Sequence, residues 1–171
     1  MMIHEINDKI WEHMKSDCSK CSGLCCTALF FSKTDGFPKD KASGQPCINL
    51  LKDYRCKIHS QLEKQKMKGC IGYDCFGAGQ QVTQVIYQGQ TWNDIPNQST
   101  EIFDVFVIVF KLYQIRYYLI EASSLISAQP LKKSIQYLIE ENIKMCHYRP
   151  DSILSLDLEE YRHRANQSLK Q

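Results

Sequence analysis

The sequence predicts a mainly α-helical protein in which a cysteine-rich metal-binding lobe with irregular loops packs on a helical bundle. Two observations lead to this fold class. Eight of the nine cysteines lie between Cys18 and Cys75, among many glycine and proline turn signals. The residues beyond position 97 instead show the apolar spacing of helices. At 171 residues, the chain suits a single domain, 1–171. We expect the cysteine-rich lobe over about 16–79 and the helical lobe over about 97–171.

Apolar residues recurring at steps of three or four predict where the helices lie. Residues 80–87 also fit a strand, because β-branched residues are frequent there, but the spacing favours a helix ended by Gly89. The predicted helices are 3–15, 57–68, 80–87, 100–128, 131–146 and a last segment that follows Pro150 and reaches Leu158.

The long helix is apolar on most sides from Ile102 to Ile120, which raises the question of a membrane span. It contains Asp104, Lys111 and Arg116, each of which costs about 2.5–3.5 kcal/mol at the middle of a bilayer. The sequence therefore predicts a central bundle helix and no membrane span. Its many aromatic residues favour core packing over a ligand pocket, and its apolar surface also suits a homodimer seam or a protein partner.

Charge and cysteine usage exclude several classes of protein. The 21 basic and 19 acidic residues give a net charge of +2, without the strongly basic balance typical of nucleic-acid binding. The cysteine count is odd, and the first residues form no apolar signal-peptide core. We therefore expect reduced thiols in a cytoplasmic protein, where clustered cysteines usually indicate metal binding.

The first cysteine cluster has the spacing C-x2-C-x3-C-C. A C-x2-C unit brings two thiolates to one metal through a tight turn, and thiolates favour zinc, iron or iron–sulfur clusters over magnesium or calcium. Two adjacent cysteines often serve different metal sites, or one of them turns into the core. A redox dithiol is the alternative interpretation. The cluster comprises Cys18, Cys21, Cys25 and Cys26.

Four more cysteines follow beside predicted turns and helix ends, namely Cys47, Cys56, Cys70 and Cys75. Eight thiols suit two four-cysteine sites or one larger cluster with spare residues. His59 is either an extra ligand or a helix histidine, and the second interpretation is favoured. Cys146 is expected to be a buried free thiol. Six basic residues between positions 51 and 70 would stabilise thiolates, although a solvated surface explains them equally well.

This pattern resembles the bacterial zinc- or iron-chelating family named for its CxxCxxCC signature, also described as iron–sulfur-cluster-containing proteins. The eight cysteines match its opening C-x2-C and C-C, its C-x-x-L with Leu50, its C-x-I with Ile58 and its final pair. Residues 18–92 are also similar to the cysteine-rich region that precedes the repeats in certain bacterial pentapeptide-repeat proteins. The phrases CSGLCC, YRCKIH and DCFGAGQ carry that likeness. Pentapeptide repeats themselves are missing here, so no β-solenoid is implied.

The resemblance implies metal binding and leaves open whether the metal is zinc or iron. An iron–sulfur cluster with a structural or redox role is slightly favoured, because an adjacent cysteine pair and eight ligands suit a larger cluster. Two alternatives stay open. One is a metal-dependent enzyme, because flagellin lysine N-methylases share part of the signature. The other is a zinc-stabilised interaction module that binds an unknown protein through the helical lobe.

Overall fold

The computed structural model describes residues 9–126 and 128–170. The protein is mainly helical, at 60% helix, and no strand forms within these two ranges. Two isolated antiparallel bridges are the only extended pairings there, joining Phe31 to Lys41 and Leu50 to Cys56. Of the predicted helix 3–15, residues 9–13 are helical, and residues 3–8 lie outside the described part.

The central element is α4, Ser99–Leu125, which follows a 3-10 turn at Pro96–Gln98. Pairs of buried residues recur along it at helical spacing, as in Val105–Phe106 and Leu112–Tyr113. The prediction of a long helix over 100–128 is confirmed as far as Leu125, where the helix ends; residue 127 lies outside the described residues. In the described part of the chain, no helix has the length and hydropathy needed to cross a bilayer.

Three helices pack against α4: α5 (Gln129–Met145), α6 (Pro150–Leu154) and α7 (Leu158–Leu169). The prediction for 131–146 is confirmed, whereas the single helix expected after Pro150 is divided in two. The division arises at Asp157, whose carboxylate accepts a hydrogen bond from the backbone N–H of Glu160 at 2.9 Å. This N-cap starts a new helix and so ends the preceding one.

The cysteine-rich segment (residues 16–79) also packs against α4. Its regular elements are short: α1 (Leu24–Ala28), α2 (Lys68–Ile71), α3 (Ala78–Gln80), and 3-10 turns at Cys18–Lys20, Lys33–Asp35 and His59–Gln61. Helices α1 and α3 contact α4. Helix α3 continues as a π-helix, Gln81–Ile86, so the helical interpretation of 80–87 is correct.

The predicted helix over 57–68 is wrong. After the 3-10 turn at His59–Gln61 the chain runs through turns, and Lys66 adopts a left-handed φ of 54°. That reversal brings Met67 into a small core with Phe37 and Cys47. Burial of the methionine in this second core outweighs the local helical spacing.

Candidate metal centre

Most of the predicted ligands surround one cavity of about 490 Å³ in the cysteine-rich segment. All nine cysteines of the chain are free thiols. The cavity is lined by seven of the eight predicted ligands: Cys18, Cys21, Cys25, Cys26, Cys56, Cys70 and Cys75. Cys47 does not line it, but its backbone N–H donates to the carbonyl of Cys26 at 2.9 Å. The fold therefore gathers thiols from three separate stretches of sequence.

The π-helix holds the first cysteine cluster in place through its polar side chains. Gln80, immediately before it, accepts a hydrogen bond from the N–H of Asp17 at 2.6 Å. Thr83 accepts one from the N–H of Ser22, and Gln84 donates to the carbonyl of Lys20. π-helical turns are rare and often occur at functional sites. Here the turn fixes the loop that presents Cys18 and Cys21.

Helix α1 presents the adjacent pair Cys25 and Cys26. It begins after Gly23, whose φ of +68° is a left-handed conformation that a side chain would strain. The two sulfurs lie 3.9 Å apart. Four sulfurs around one zinc ion at 2.3 Å are about 3.8 Å from one another. The pair is thus close enough to bind one metal or two neighbouring ones.

The middle cysteines are positioned by a short antiparallel pairing. Leu50 pairs with Cys56, and the carbonyl of Asn49 accepts the N–H of Lys57 at 2.8 Å. The N–H of Asn49 also points at the sulfur of Cys47, 3.5 Å away. This pairing holds Cys56 close enough to Cys47 for the two thiols to interact electrostatically.

The last cysteine is tied to the start of the segment through a serine. Ser16 Oγ lies 3.1 Å from Cys75 Sγ, donates to the carboxylate of Asp74 and accepts the N–H of Gly77. These contacts close residues 16–77 into a loop with Cys75 beside the first cluster.

The thiols that line the cavity differ in pKa. Burial raises the pKa of Cys21 and of Cys70 to about 11, and neighbouring thiols add to the effect. Within the adjacent pair, the hydrogen bond between the two thiols raises the pKa of Cys25 and lowers that of Cys26. A bound cation would favour deprotonation of all these thiols, since metal ligands must be thiolates.

Lys41 lies close enough to Cys25, Cys26 and Cys47 to interact with them electrostatically, and sequence reasoning missed it. Its ammonium donates to the carbonyls of Thr27, Ala42 and Gln45 and lies 4.7 Å above the ring of Phe31. Burial lowers the pKa of Lys41, and the nearby cysteines act in the opposite direction. The basic residues singled out in the sequence, Lys52, Arg55, Lys57, Lys64, Lys66 and Lys68, are all exposed.

Tyr73 is a second residue of the cavity that no sequence motif indicated. Its ring packs on Phe110 of α4 with centroids 5.3 Å apart. Its hydroxyl is buried and has no hydrogen-bond partner among the described residues. Burial and the surrounding thiols raise the pKa of the phenol well above its usual range. A neutral donor is thus left without an acceptor in a cavity lined by sulfur.

His59 and Cys146, the two other candidate residues, differ in whether they lie at the cavity. His59 lines the cavity but is exposed, on a 3-10 turn in place of the predicted helix. Cys146 lies in the helical core, as expected of a buried free thiol, and Arg116 donates to its sulfur at 3.1 Å.

Across the described residues, no three or more His, Cys, Asp or Glu side chains come close enough together to hold a metal ion. The thiols surround a space, not a single point.

Comparison with known proteins gives one informative match. The chain is 37% identical over 164 residues to the uncharacterized protein YybG of Bacillus subtilis (strain 168). The match covers 96% of this chain and 59% of that protein, so the chain spans about three fifths of the relative's length. No family model and no solved structure matches the chain.

Proposed function

We propose that the chain is a metal-binding protein that holds an iron–sulfur cluster or zinc through the eight cysteines between Cys18 and Cys75. The observation that carries this proposal is the cavity of about 490 Å³, which is lined by seven free thiols from three stretches of sequence. Buried cysteines that serve only packing have no reason to converge on a common space. Their retention as free thiols suits the reducing conditions of the cytoplasm, where we place the protein.

The residues that line the cavity suit an iron–sulfur cluster or zinc. The donor set is almost purely thiolate, which favours zinc and iron over hard cations. The unpartnered hydroxyl of Tyr73 supplies a hydrogen-bond donor within the same cavity. Hydrogen bonds to cluster or ligand sulfurs tune the reduction potential of an iron–sulfur centre. The hydrogen bond with Cys25 lowers the pKa of Cys26 below its ordinary value, which favours the thiolate form of this ligand.

The number of sulfurs around one cavity favours an iron–sulfur cluster over a single zinc ion. A single ion draws its four ligands together, whereas the cysteines of a polynuclear cluster bind different iron atoms and stand further apart. Seven thiols, more than one ion needs, line the cavity here. The centre would supply electron transfer or rigidity, and the chain's own residues would anchor it and shield it from water.

A zinc-stabilised interaction module is the second candidate, favoured by exposed apolar side chains on the helices. Tyr118 and Leu125 of α4 are 60% and 84% exposed, and Tyr137 of α5 is 65% exposed. Large apolar side chains in water are frequent at protein interfaces. On this alternative the metal would stabilise the fold and the helices would bind a protein or a second copy of the chain.

Anaerobic purification tests the proposal, followed by analysis of iron, zinc and acid-labile sulfide and a visible spectrum of the same sample. We expect iron with sulfide and broad absorption in the violet. Zinc in a colourless protein would support the second candidate. Cys26→Ser should lower the metal content, whereas the control Cys146→Ser should retain all of it, because Cys146 lies outside the cavity. Protein without metal, or unchanged metal in Cys26→Ser, would contradict the proposal.

A further inference from the structure

We infer that the eight thiols form two separate four-cysteine metal sites, interleaved along the chain and adjoining at Cys25 and Cys26. This inference rests on the proposed function and specifies its stoichiometry. The first site takes Cys18, Cys21, Cys25 and Cys75. The second site takes Cys26, Cys47, Cys56 and Cys70.

The first group lies against the main helical core. Cys21 and Cys25 both pack on that core, as does Phe76, which directly follows Cys75. The chain before Cys18 is held to the same side, because the N–H of Asp17 donates to Gln80 at the end of α3. Ser16 binds the sulfur of Cys75 and so joins the two ends of the group.

The second group lies around the small core formed by Phe37, Cys47 and Met67. Cys47 is one of its three buried residues, and Cys26 and Cys70 pack against it. Cys56 reaches the same core through its pairing with Leu50, which also packs there. The second group therefore has its own apolar surroundings.

The division between the groups falls within α1. Consecutive helical residues point about 100° apart, so Cys25 turns toward the main core while Cys26 turns toward the small one. Their sulfurs still lie 3.9 Å apart, which makes the two sites neighbours. Lys41 binds the carbonyl of Thr27, the residue after Cys26, and supplies positive charge where the two thiolate sets adjoin.

Paired variants test the division. Cys21→Ser removes a ligand of the first group and Cys70→Ser one of the second, and the double variant removes both. We expect each single variant to keep half of the wild-type metal per chain and the double variant to keep none. Cys146→Ser is the matched control and should keep all of it. Loss of all metal in each single variant would show one shared centre and overturn the inference.

A measurement on the wild-type protein guards against variants that fail to fold. Metal is partly removed anaerobically with a chelator, the exposed thiols are alkylated, and the labelled cysteines are mapped by mass spectrometry. Half-loaded molecules should be labelled on one complete group of four and protected on the other. Labels divided between the groups would overturn the two-site assignment while leaving metal binding intact. A wild-type protein without metal would instead refute the proposed function itself.

Discussion

Gly79 shows how a single residue without a side chain shapes the candidate site. It is buried in α3, and an ideal Cβ built on it would lie 2.5 Å from the sulfur of Cys21. Real Cβ atoms do not approach a sulfur so closely, so a side chain here would force Cys21 to rotate. The glycine gives the thiol room to face the cavity, although glycine is a poor helix former.

Gly79→Ala should therefore reduce the metal content of the protein by about half, because only the group containing Cys21 is disturbed. Its metal-free stability should change little, since alanine gains about 1 kcal/mol in helix propensity against the cost of moving one sulfur. Metal analysis and thermal unfolding measure both effects. Gly72→Ala is the matched control, because Gly72 has a φ of −85° and its nearest added contact is 3.5 Å. Full metal content in Gly79→Ala would refute this role for the glycine.

At the scale of elements, α4 and α5 are joined by a buried polar contact in addition to apolar packing. Arg116 is 4% exposed and donates to Asn142 at 2.8 Å and to Cys146 at 3.1 Å. Its guanidinium lies 4.3 Å above the ring of Tyr113. Asn142 in turn donates to the carbonyl of Leu112. The contact fixes how the two helices face each other, because its buried donors and acceptors are paired between the helices.

Arg116→Ala should destabilise the protein by about 1–3 kcal/mol, because the buried Asn142 oxygen loses its charged donor and keeps only the thiol of Cys146 at 3.9 Å. The lost packing of the arginine should add to this effect. Urea unfolding followed by far-UV circular dichroism measures the change. The control is Lys111→Ala on the same helix, which is exposed and should stay within about 0.5 kcal/mol. Equal effects of the two substitutions would mean that the buried contact contributes nothing specific. Metal content should be unchanged in both variants.

At the scale of the whole molecule, the two parts of the chain have different sources of stability. The helices share a large buried core that includes Phe106, Leu119 and Ile139. The small core of the cysteine-rich segment has only three buried residues, too few to offset the conformational entropy of its long loops. We expect bound metal to supply the difference, as in other small metal-stabilised folds.

Removal of metal by a chelator should therefore open the cysteine-rich segment and leave the helices folded. Limited trypsin digestion should then cut quickly at Lys52 and Lys57, and slowly at Lys133 and Lys144 of α5. Mass spectrometry of the fragments identifies the cuts, and far-UV circular dichroism should keep most of its helical signal. Digestion of the metal-loaded protein is the control. Equal cutting with and without metal would show that the segment folds without it.

Much of the helical part could be predicted from the sequence, because the apolar residues of 100–125 and 131–145 keep helical spacing over many turns. The start of the last helix could not be predicted, because its N-cap residue, Asp157, lies within an apolar run that continues through Leu158. The false helix at 57–68 has a related cause. Its spacing is helical, but the small core draws Met67 out of that pattern. Short segments follow their tertiary contacts more than their own periodicity.

For the candidate site, the sequence by itself determined the type of donor, the number of thiols and their clustering in one segment. Only the tertiary structure decided which thiols meet, that Cys47 stands outside the cavity lining, and that Tyr73 and Lys41 belong to the site. The physical reason is that the metal preference of a ligand depends on the chemistry of its own side chain, which can be read from the sequence. Proximity between residues as distant as Ser16 and Cys75 depends on how the loops pack against two different cores.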